Sequence, residues 1–78
     1  MEHFVGIDVA KDRLDIHVRP GGESFAVARD GDALAVLVKR LQTLAPALIA
    51  IEATGGYETV VASALAAAQL PLAVVNPR

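Results

Sequence analysis

The hydrophobic periodicity of this chain changes repeatedly, and the order of the changes leaves few folds open. "RLDIHVR", Arg13 to Arg19, alternates strictly: Leu14, Ile16 and Val18 fall on one side, Arg13, Asp15, His17 and Arg19 on the other. Such alternation predicts a half-buried β-strand. "RDGDALAVLVKRLQTLAP" then sets Leu34, Leu37, Val38, Leu41 and Leu44 at helical spacing, which makes one apolar helix face. "ALIAIE", Ala47 to Glu52, is apolar without alternation until its last residue. A run of that kind predicts a strand covered on both faces, as in parallel pairing.

The intervening segments complete the order. Phe4 to Asp8 reads as a first strand and Ser24 to Ala28 as a third, with Phe25 and Val27 on one face. "RPGG" between the second and third strands is a turn signal, so the first three strands form an antiparallel meander. Asp30 or Asp32 caps the first helix. Lys39 and Arg40 lie toward its C-terminal end, where the dipole favours cations, and Pro46 blocks continuation. "ATGGYE" turns into a second, alanine-rich helix over Tyr57 to Ala68, with Thr54 as N-cap, and Leu70 to Val75 forms a last strand. The order is β-β-β-α-β-α-β. Its last three elements form a βαβ unit with a right-handed crossover. With the fourth strand parallel beside the first, the sheet order is 3-2-1-4-5, an α/β mixed sheet in the ribonuclease H-like layout.

Composition narrows the class. Residues 1–78 make one small domain or part of one, and 54% of them are hydrophobic. A chain of this size buries only about 60% of its unfolded surface, so so apolar a composition suggests a core that expects more chain. Cysteine is absent, which excludes disulfides and thiolate metal sites. "MEHFVGID" lacks a basic region followed by an apolar signal core, and the apolar runs are too short for a bilayer span. The expectation is a cytoplasmic chain without a membrane partner. A net charge of −2 makes it no electrostatic clamp for nucleic acid by itself.

Asp8 and Glu52 occupy equivalent places, each ending an apolar strand. On parallel neighbours their backbones lie about 4.8 Å apart, at the carboxyl ends of strands where open α/β sheets bind ligands. Two carboxylates that close repel, so either one is protonated or a cation sits between them. With hard oxygen donors the cation is Mg²⁺ or Mn²⁺. Taken singly, each residue also has a plain reading: Asp8 as a turn former, Glu52 as the partner of a lysine.

The segments "VGIDVAKDRLDIHV", "IEATGGYE" and "LPLAVVNPR" together resemble the N-terminal part of the RuvC-like domain of DEDD transposases, the insertion-sequence recombinases of the IS110 type. The resemblance covers essentially the whole chain. It implies a metal-dependent enzyme that cleaves DNA and exchanges strands during transposition, with DNA as partner and, in part of the family, a guiding bridge RNA. Asp8 corresponds to the first and Glu52 to the second of the family's acidic ligands, catalytic residues that bind Mg²⁺ or Mn²⁺. It also implies that the last two ligands and a serine-bearing domain lie beyond Arg78. Residues 1–78 are then a single partial domain, inactive alone, with a bare sheet face that favours homo-oligomers.

Lys11, Thr54, Gly55 and Gly56 are candidate nucleic-acid contacts. Lys11 belongs to "GIDVAK" and can approach a phosphate, although a solvated turn lysine is the simpler reading. Thr54, Gly55 and Gly56 lead into the second helix, where backbone N–H groups favour an anion, although a tight turn needs the same residues. Tyr57 either stacks on a base or covers the core edge. His3 and His17 are not at metal-ligand spacing and read as surface residues. Two other functions fit the fold. A sugar kinase or actin-type ATP-binding subdomain usually carries Gly or Thr in its first hairpin, whereas this turn reads "VAKDR". A non-catalytic ribonuclease H-like module would leave the acidic pair structural.

Overall fold

A computed structural model describes residues 2–53 and 55–75. Three strands lead the chain: β1 (Phe4–Val9), β2 (Arg13–Arg19) and β3 (Glu23–Ala28). They are followed by α1 (Gly31–Leu44), β4 (Leu48–Ala53), α2 (Glu58–Ala67) and β5 (Leu72–Val75). The sheet order is β3-β2-β1-β4-β5, as the sequence predicts. β1 runs antiparallel to β2 and parallel to β4; β4 and β5 are also parallel.

The core lies on one side of the sheet. Val5, Ile7 and Val9 of β1, Leu14, Ile16 and Val18 of β2, and Ile49 and Ile51 of β4 are buried there. Leu34, Leu37 and Leu41 of α1 and Val61 and Leu65 of α2 close over them in one cluster. Because strand side chains alternate, the opposite face carries Phe4, Gly6 and Asp8 on β1 and Leu48, Ala50 and Glu52 on β4. No element among the described residues covers it: Phe4 is 48% and Leu48 40% exposed. The unbroken apolar run of β4 is therefore covered on one face here, not two. Its lack of alternation reflects Leu48 and Ala50 on the open face.

Helix ends explain where elements start and stop. Asp30, not Asp32, caps α1, its carboxylate accepting the Ala33 N–H at 2.8 Å. The last turn of α1 contains no basic residue. Arg40 turns away to Glu23, with its guanidinium 3.8 Å from the centroid of Phe25, because a carboxylate and a ring face offer a cation more than the helix end does. Ala45 stops α1 in the left-handed region, just before Pro46. α2 ends in a Schellman-type turn: Gln69 has φ 61° and donates to Ala66, while Leu70 donates to Leu65 at 3.1 Å. Leu70 is thus used in the cap, and β5 begins at Leu72, two residues later than its apolar pattern suggests. The N-cap position of α2 is Tyr57, which makes no side-chain capping bond; the Thr54 cap expected from sequence lies outside the described residues.

Candidate functional site

β1 and β4 pair in a register that sets Asp8 directly opposite Glu52. The antiparallel register of β1 and β2 sets Asp8 opposite Asp15. Three carboxylates therefore form a row across β2, β1 and β4 on the open face. Asp8 and Glu52 are both exposed. Asp15 is drawn aside by Arg13, whose Nε lies 3.4 Å from its carboxylate. Among the described residues, no three His, Cys, Asp or Glu side chains converge closely enough to hold one ion. The row thus offers a pair, Asp8 and Glu52, with Asp15 engaged elsewhere.

Two open cavities meet at Asp8. One, of about 430 Å³, is bounded by Asp8, Val9, Ala10, Lys11, Asp15, Gly55 and Tyr57. The other, of about 280 Å³, is bounded by Gly6, Ile7, Asp8, His17, Ala50, Glu52 and Val75. The donor set suits a hard divalent cation. Mg²⁺ commonly takes one or two carboxylates and completes its octahedron with water and substrate phosphate, and exposed carboxylates beside open cavities leave room for both.

Of the residues singled out in the sequence, Lys11 and Gly55 border the first cavity with Asp8. Gly56 follows in the same turn, and both glycines hold φ near +80°, at 77° and 81°. Thr54 lies outside the described residues. His17 is a surface residue, as expected, its Nδ1 2.9 Å from the Ser24 hydroxyl. His3 is only half-buried.

Two features escaped sequence reading. Asp15 was visible as part of a polar strand face, but its place beside Asp8 follows from hairpin register. The short turn closed by Ala10 N–H to Arg13 C=O fixes that register. Arg29, just past β3, carried no motif. Its Nε donates to the Lys11 carbonyl at 2.8 Å, and its guanidinium lies over Tyr57, 5.1 Å from the ring centroid. No periodic signal brings residues 11, 29 and 57 together.

No curated protein sequence matches the chain. Among solved structures, RuvC of T. thermophilus, determined in complex with a Holliday junction substrate, superposes with a TM-score of 0.72 at 16% identity. The match covers 99% of this chain and 66% of that one, so the chain spans about two thirds of RuvC. At that identity the likeness establishes the fold, which is ribonuclease H-like. The family model of DEDD transposases of the IS110 type matches residues 5–78. A match over nearly every residue, on a fold whose two central parallel strands place Asp8 beside Glu52, shows that the chain belongs to this transposase family.

Proposed function

We propose that residues 1–78 are the N-terminal part of a RuvC-like catalytic domain that cleaves DNA during transposition, with Asp8 and Glu52 as ligands of Mg²⁺ or Mn²⁺. The observation that carries this reading is the direct register of Asp8 with Glu52 on parallel central strands. The transposase family supports DNA cleavage and strand exchange as the reaction, and the likeness to a junction-bound RuvC supports DNA as the partner.

A divalent cation held there would polarise the scissile phosphate and stabilise the entering and leaving oxygens. The chain's own residues do the holding. Asp8 and Glu52 present hard oxygens from rigid strands, where position is more tightly fixed than on loops. Lys11 supplies positive charge next to Asp8, offsetting the repulsion between carboxylates and an incoming phosphodiester. Gly55 borders the same cavity and Gly56 follows it, and their backbone N–H groups are the proposed phosphate contacts of this turn; Thr54 belongs to the same proposal. Asp8 and Glu52 act as ligands and not as proton carriers.

Calorimetric titration with Mn²⁺ tests the pair. Asp8→Ala and Glu52→Ala should each weaken binding at least several-fold, each removing one of two protein donors. Parent-like binding by both variants contradicts the shared site. A second expectation follows from the family's four-carboxylate pattern. Residues 1–78 alone should leave supercoiled DNA intact in Mg²⁺, and Mg²⁺-dependent nicking that disappears in Asp8→Ala would show that two carboxylates suffice.

A further inference from the structure

We propose that Arg29 is a preorganised anchor for a DNA backbone phosphate at the edge of the Asp8 cavity, with Tyr57 as its platform and Lys11 as its cationic neighbour. The DNA identity of the ligand rests on the function proposed above; the anion site itself does not.

Three arginines of this molecule illustrate the contrast. Arg13 pairs with Asp15 and Arg40 with Glu23. Arg29 is half-buried, yet among the described residues it has no carboxylate partner. Among the described residues its charge is therefore left available to an external anion.

The guanidinium is held from two sides. Its Nε donates to the Lys11 carbonyl, and the Arg29 backbone N–H donates to Asp12 C=O at 3.2 Å. Tyr57 supports the planar group from below. The terminal nitrogens have no protein acceptor among the described residues. A fixed fork with both ends available matches the bidentate geometry of a phosphate, and ordering it beforehand reduces the entropy lost on binding.

Lys11 and Tyr57, which the Arg29 side chain meets, both border the cavity that contains Asp8 and Asp15. The chain as a whole carries a net charge of −2, so a phosphodiester entering this acidic region needs local cations. Arg29 and Lys11 are those cations. Tyr57 packs at the edge of the core, as one of its two sequence readings has it, and offers a ring face to the arginine.

The test is fluorescence anisotropy with a single-stranded DNA oligonucleotide across a range of NaCl concentrations. Each lost phosphate contact lowers the slope of log affinity against log salt by about 0.7 on single strands. Arg29→Gln should bind several-fold more weakly with a slope reduced by about that amount. Arg29→Lys should keep most of the slope but lose affinity, lacking the planar fork. Lys11→Gln, at an exposed turn, should lower the slope independently. A parent-like slope in Arg29→Gln, or no DNA binding by the parent, overturns the proposal. A readout without substitution is the Arg29 Nε–H resonance, which should shift as DNA is added; a stationary signal at saturation also overturns it. Mn²⁺ titration of the same samples separates the two readings. Mn²⁺ bound through Asp8 and Glu52 with an unchanged Arg29→Gln slope defeats the anchor alone. A reduced slope in a protein that binds no Mn²⁺ upholds the anchor and defeats the metal centre.

Discussion

Gly55 shows how one residue shapes the site. Its φ of +77° lies where L-residues are strained, and a Cβ there would meet the Tyr57 ring at 3.2 Å. Gly56 has φ +81°, but a Cβ at that position meets nothing. Gly55→Ala should therefore cost more than Gly56→Ala: about 2 kcal/mol against about 1 in urea unfolding. Equal losses would mean that backbone strain alone matters and that the ring yields freely. Gly55 and Gly56 made a tight turn legible, and Asp8 and Glu52 were legible as carboxylates at the carboxyl ends of strands, although each strand continues one residue further. The positions of Asp15 and Arg29 were not. Asp15 depends on a hairpin register that a one-residue slip would reverse, and Arg29 depends on contacts between segments far apart in the chain.

At the scale of elements, periodicity read the strands and helices well, while their ends were decided by local hydrogen bonding. The sequence offered Asp30 and Asp32 equally as caps for α1; only Asp30 accepts the Ala33 N–H. Asp30→Ala should destabilise by about 1 kcal/mol, whereas Asp32→Ala, in the first turn, should cost only a few tenths through the helix dipole. Thermal unfolding of the two variants side by side checks the order. Gln69 gives a change of opposite sign. It holds a left-handed conformation at the end of α2, so Gln69→Gly should stabilise by about 0.5–1 kcal/mol. The apolar pattern alone could not place the start of β5. Leu70 is as hydrophobic as a strand residue but packs with Leu65 at the helix end, and both are buried.

At the scale of the whole molecule, the decisive feature is a sheet that the described residues cover on one side only. The open face combines Phe4, Leu48 and Val75, each at least 40% exposed, with the row Asp15, Asp8 and Glu52. Exposed apolar surface of this kind drives association, and β5 presents a free edge. Light scattering of residues 1–78 should give a mass above 8.1 kDa that rises with concentration; a constant monomer mass at high concentration contradicts this. The composition hinted at the open face, being more apolar than so short a chain can bury. The inward face of the sheet was legible from the alternation of β2, and not from β4, where both faces are apolar. The same open face makes the metal centre directly observable. Its most direct test is Mn²⁺-induced broadening of the chain's backbone NMR signals. Substoichiometric Mn²⁺ should broaden residues around Asp8 and Glu52 first, with the effect lost in the Asp8→Ala, Glu52→Ala double variant. Broadening centred elsewhere, or unchanged in the double variant, would contradict the assignment of these two carboxylates as the metal centre.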